Sequence, residues 1–121
     1  MKEASSQGET RLQSELLGFR AYFRFTGEHP TLYRIIRQAE FVSPDTLHDH
    51  YQAIASGYVA ALQSAMDRGE VERMDPEVLA WALMGMGELL GMRWIVWEGA
   101  GEVPKDLLEQ MQMLIERMLG A

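Results

Sequence analysis

The stretch Val78 to Trp97 is apolar on nearly every face of the helix it would form, and nothing else in the chain constrains the fold as tightly. A helix that is hydrophobic all round needs neighbours all round. Trp81, Met84, Met86, Leu89, Leu90, Met92, Trp94, Ile95, Val96 and Trp97 offer more apolar surface than one small bundle readily covers. The same stretch carries Glu88, Arg93 and the glycines Gly85, Gly87 and Gly91, so it reads as a buried helix at a protein interface and not as a membrane span. Each glycine costs up to about 1 kcal/mol of helix propensity relative to alanine, which close approach of a second helix would recover through packing. The plain alternative is that this helix forms the centre of a monomeric core.

The remaining helices are set by periodicity and punctuation. The tail, residues 1–8, is polar and without period, and residues 9–121 form the domain. Leu12, Leu16, Phe19 and Phe23 fall on one stripe of a helix expected from about Glu9 to Phe25, with Gly27 and Pro30 ending it. A short helix follows from Pro30 to Val42. Ser43-Pro44-Asp45 predicts an N-cap, and the helix it opens should reach Arg68 with Leu47, Tyr51, Ile54, Tyr58, either Ala61 or Leu62, and Ala65 inward and Gly69 as its stop. Asp75-Pro76-Glu77 repeats the start signal for the apolar helix, which Gly99 and Gly101 break. A last helix, about Pro104 to Leu119, carries Leu107, Met111, Leu114 and Met118 at alternating steps of four and three, a stripe that Leu108, Ile115 and Leu119 widen. No segment alternates with a period of two. The expectation is an all-α, five-helix bundle whose two C-terminal helices pair with their copies in a dimeric four-helix bundle, through Met86, Leu90, Trp94, Trp97, Leu107, Met111, Leu114 and Met118.

Charge narrows the function. Eleven Lys and Arg against 18 Asp and Glu give a net charge of -7, the wrong sign for a surface that must neutralise phosphates, so no nucleic acid is expected to bind this chain. With no cysteine there is neither a disulfide nor a thiolate site, and with no basic, apolar leader a cytoplasmic setting is expected.

Aromatic residues concentrate on the first three helices. Phe19, Tyr22, Phe23, Tyr33, Phe41, Tyr51 and Tyr58, joined by Ile54, Met84 and Glu88, suit a pocket that grips an apolar ligand and orients it by a few hydroxyls. The nine methionines supply adaptable walls. Each aromatic residue taken singly is equally at home in an ordinary core. Glu88 inside an apolar helix must be paired, hydrogen-bonded or protonated, and either recognises a ligand or meets an arginine across a dimer. Arg34 and Arg37 could receive an anionic group, or could lie on a solvated face. His48 and His50 point to different sides of a helix and cannot chelate one metal. No nucleophile triad, phosphate loop or zinc spacing is present, so neither an enzyme nor a cofactor is expected.

The run "FRAYFRFTGEHP" from Phe19 to Pro30, followed by "TLYRIIRQAEFVSPD", resembles the fifth and sixth helices of tetracycline-repressor-type (TetR-family) transcriptional regulators. "MDRGEVERMDPEVLAWALMGMGELLGMRW", Met66 to Trp94, resembles the turn and opening of that family's eighth helix. The likeness covers roughly Leu12 to Leu119. It implies a homodimer built from the helices matching Asp75–Trp97 and Pro104–Leu119, and a small-molecule pocket among the preceding ones. The family's helix-turn-helix and connecting helix are not in this sequence, so DNA binding would need that missing N-terminal domain. The expected function is therefore an effector-sensing and dimerisation domain for a hydrophobic or aromatic small molecule, the rival being a helical dimeric interaction module with a filled core and no ligand.

Overall fold

In the computed structural model, which describes residues 10–99 and 103–120, five α-helices follow one another and no strand occurs among the described residues. They are α1 (Arg11–Glu28), α2 (Pro30–Val42), α3 (Pro44–Asp67), α4 (Pro76–Gly91, continued by a π-helical turn over Met92–Val96) and α5 (Lys105–Leu119). The N-terminal tail and Gly101 lie outside the described residues.

Local chemistry explains the boundaries. The α1 helix starts at a capping box that the periodicity argument overlooked. Thr10 accepts from the Gln13 backbone N–H at 3.2 Å, and the Gln13 side chain accepts the Thr10 N–H at 3.2 Å. It continues past Phe25 and through Gly27 to Glu28, because a single glycine weakens a helix without ending it. His29 and then Ser43 are one-residue joints, each followed by a proline in the first turn of the next helix. The Ser43 hydroxyl does not cap the backbone as expected; it shares a 2.6 Å hydrogen bond with the Thr46 hydroxyl. Asp75 does cap, accepting from the Glu77 N–H at 2.9 Å. Gly69 closes α3 at φ +78°, a conformation that costs glycine no steric clash.

The core is the meeting of four helices. Phe19 and Phe23 of α1, Leu62, Ala65 and Met66 of α3, Leu79, Ala80 and Leu83 of α4, Ile95 of the π turn, and Leu107, Met111, Ile115 and Leu119 of α5 are all buried, with Val71 from the α3–α4 turn. The α4 helix packs mainly on α3 and also on α1, while α5 packs on α1. The glycines of α4 divide in purpose. A Cβ on Gly87 would lie 2.6 Å from the Phe19 ring, and one on Gly91 would sit 3.4 Å from Phe23 and Tyr22. Both bare the backbone to α1 of the same chain, whereas Gly85 faces open space.

Much of what α1 and α3 leave uncovered on α4 is apolar, with Glu77 and Arg93 the exposed charges. Val78 is 57% exposed, Leu89 56% and Trp97 67%, and they lie on one long stripe with Trp94 beside it. By length and composition alone Pro76–Val96, at a mean hydropathy of 1.2, could cross a membrane. Its inner residues are instead engaged with α1 and α3. The short helix α2 buries no residue at all. It lies over α3 and the end of α1, held by a few inward side chains.

Candidate functional site

Four helices converge on a cavity of about 100 Å³. Phe19 and Tyr22 reach it from α1, Tyr33 and Ile36 from α2, His50, Tyr51 and Ile54 from α3, and Met84, Gly87 and Glu88 from α4. An outer groove of about 310 Å³ shares Ile36, Tyr51, Met84 and Glu88 with it and adds Arg37, Glu40, Leu47, Trp81 and Gly85. Helical spacing accounts for the lining: Tyr33 and Ile36 are one turn apart on α2, as are Met84 and Glu88 on α4 and Tyr51 and Ile54 on α3.

The polar groups are few. The Tyr51 hydroxyl donates to Glu88 Oε1, tying α3 to α4 at the mouth of the cavity. Arg37 Nη1 stands 3.9 Å from the same oxygen, with its side chain about half exposed. The Tyr33 hydroxyl is buried and has no hydrogen-bond partner. Burial, and then the Glu88 carboxylate, push the Tyr22 hydroxyl up to about 12. Burial and the hydrogen bond to Glu88 raise Tyr51 as well, and burial raises Tyr33. All three phenols therefore keep their protons at neutral pH and can serve as donors. The result is an aromatic chamber with one carboxylate, and with the Tyr33 hydroxyl beside the Arg37 guanidinium.

Seven of the residues singled out from the sequence stand together around this cavity: Phe19, Tyr22, Tyr33, Tyr51, Ile54, Met84 and Glu88. The other three do not. Phe23 is fully buried in the core against Tyr22 and Gly91. Phe41, at the far end of α2, is 85% exposed. Tyr58 turns to a second polar cluster, where its hydroxyl donates to Glu15 Oε2. Ile36, His50 and Gly87 belong to the lining and escaped the sequence reading. Ile36 was legible from its spacing to Tyr33. Gly87 was not, because nothing local says which glycine an aromatic ring will rest on.

Gly87 also gives the site a testable shape. Gly87→Ala should place a methyl group against the buried Phe19 ring. An overpacking cost of about 1–3 kcal/mol against a propensity gain of about 1 kcal/mol predicts a net loss of roughly 1 kcal/mol by urea denaturation. Measured stabilisation would mean the ring moves aside freely.

The second cluster lies deeper. Glu15 on α1 is 2% exposed, with Arg11 Nη2 2.9 Å from its Oε1 and Tyr58 on its Oε2. Burial raises the Glu15 carboxyl above its usual range, against the pull of Arg11 and Tyr58. Burial and the neighbouring Glu15 raise the Tyr58 hydroxyl in turn.

The residues expected at a dimer interface are dispersed. Leu107 and Met111 are enclosed in the core of the subunit itself, and Met86, Leu90 and Met118 pack partly against that core. Trp94, Trp97 and Leu114 are exposed. The buried stripe of α5 runs in steps of four, Leu107, Met111, Ile115 and Leu119, and the alternating stripe read from sequence straddles its edge.

No family model and no curated protein matches this chain.

Proposed function

We propose that this chain is an effector-sensing and homodimerisation domain of a TetR-like transcriptional regulator, acting in the cytoplasm on a hydrophobic or aromatic small molecule. The observation that carries the reading is the convergence of aromatic side chains from three helices, with Glu88 of a fourth, on one partly open chamber. Small-molecule sites are concave, mainly apolar and furnished with a few placed polar groups. The chamber and groove meet that description. The α4 helix suits a sensor because its inner side bears Met84 and Glu88 while its outer side bears the uncovered stripe Val78, Leu89 and Trp97. A ligand that displaces α4 would shift whatever covers that stripe. The net charge of -7 leaves contact with DNA to a separate domain.

A ligand present at 100 times its dissociation constant should stabilise the fold by about 2.7 kcal/mol, a rise of roughly 10 °C in Tm. Scanning calorimetry with panels of aromatic, acyl and amphiphilic compounds tests this, and a panel without a single shift would count against sensing. One observation favours the rival interaction module: the inner cavity is about 100 Å³, below the range of about 300–1,000 Å³ for drug-sized ligands. The sensing reading therefore requires the ligand to use the outer groove too.

For the dimer we infer that a second copy covers the outer stripe of α4 together with Leu114 on α5. Leu114→Glu should leave the subunit folded by circular dichroism and convert dimer to monomer by light scattering, since Leu114 is 42% exposed. An unchanged dimer would remove Leu114 from the interface. Leu107→Glu is no substitute, because it would put a charge into the core.

A further inference from the structure

We infer that the effector taken by the proposed site is a hydrophobic monocation, an aryl or alkyl ammonium, whose charged head meets Glu88 among the tyrosine rings. The inference deepens the sensing reading and rests on it. Glu88 is the one acidic group shared by chamber and groove, and Glu40 is a second carboxylate on the groove wall. Against them stands Arg37, 3.9 Å from Glu88 Oε1 and about half exposed, at the longest distance of any ion pair among the described residues. The Tyr51 hydroxyl already donates to that oxygen, but so loose an ion pair leaves the carboxylate without a close cationic partner, and an exposed arginine is readily displaced.

The surroundings favour a positive guest. Phe19, Tyr22, Tyr33 and Tyr51 line the chamber, and aromatic faces attract cations, more strongly once these are desolvated. The Arg37 guanidinium already stands 6.0 Å from the Tyr33 ring centroid, so this wall receives a cation. The Tyr33 hydroxyl, buried and held by no hydrogen bond of normal geometry, lies beside the Arg37 guanidinium and could accept from an ammonium N–H that takes that cation's place. An anionic guest would bring like charge to Glu88 and would have to take Arg37 from it. The ammonium group reaches Glu88 and frees Arg37 towards solvent, while the apolar body fills the cavity beside Ile36, Ile54 and Met84.

The experiment is isothermal titration calorimetry on the full chain with three matched probes: phenylbutylammonium, phenylbutanol and phenylbutyrate. The ammonium should bind at least on the order of 10-fold more tightly than the alcohol, and the carboxylate most weakly. Glu88→Gln, which keeps the size and hydrogen-bonding capacity of the side chain, should cost the ammonium on the order of 10- to 100-fold and the alcohol far less. Arg37→Gln should tighten the ammonium by roughly 3-fold or more by removing its competitor. If the alcohol or the carboxylate binds best, or if Glu88→Gln affects all three equally, the cation assignment is overturned while the sensing site stands. If none of the three binds to the parent protein or to either variant, both are overturned.

Discussion

Phe23→Ala is expected to remove about 3–5 kcal/mol of stability, the usual cost of emptying a buried phenylalanine site. Phe23 is fully buried, its ring centroid lies 6.2 Å from that of Phe19 and 5.9 Å from that of Tyr22, and its ring rests on Gly91. The ring is thus, with Phe19 on Gly87, a contact by which α1 holds α4. Because domains are stable by only about 5–15 kcal/mol, the variant should unfold at markedly lower urea with an unchanged m-value. Tyr33→Phe, at the chamber wall, should by contrast alter ligand binding and leave stability near the parent value, since its hydroxyl makes no hydrogen bond of normal geometry and has only the half-exposed Arg37 beside it. Equal losses in the two variants would contradict this division between core and site.

The second large effect concerns Glu15. Replacing Arg11 with methionine keeps most of the apolar stem and strips the buried carboxylate of its nearest positive charge. Removing one partner of a buried ion pair costs about 3–5 kcal/mol, and that is the loss expected at neutral pH. The pH dependence has a definite sign. Burial raises the Glu15 carboxyl above its ordinary value of 4.5, so the folded chain holds this proton more tightly than the unfolded chain does. Its contribution to stability is therefore greatest when it is protonated, at low pH, and falls as pH rises from the ordinary value through the raised one. Arg11 pulls the carboxyl down, so its removal lifts it further and steepens the fall. Urea midpoints should separate parent and Arg11→Met widely at pH 7.5 and much less near pH 5. A gap that is constant with pH would show that Arg11 contributes by packing and not through Glu15.

Much of the architecture was legible because punctuation and periodicity agreed. Pro30, Pro44 and Asp75-Pro76 each mark the start of a helix, and Gly69 stops one. The less legible features came from tertiary contacts. Nothing local marks Glu15 as buried, and its partner Tyr58 comes from α3, 43 positions away. Phe23 shares a stripe with Phe19, yet one ring points to the chamber and the other to the centre, a distinction set by where α4 crosses. On α3 the residue turned inward is Ala55, and Ile54 is left at the cavity wall half in solvent. On α5 the pattern 107, 111, 114, 118 and the pattern 107, 111, 115, 119 are equally apolar, and only packing on α1 selects the second.

These particulars bear on one physical proposition. The α4 helix gives one side to the aromatic chamber and keeps a greasy outer side that its own subunit does not hide, and a twin chain is proposed to hide it. Analytical ultracentrifugation across a wide concentration range tests that most directly. The account predicts a particle of twice the 13.8 kDa chain mass. A well-folded, clear solution holding only the 13.8 kDa species at high concentration would contradict it.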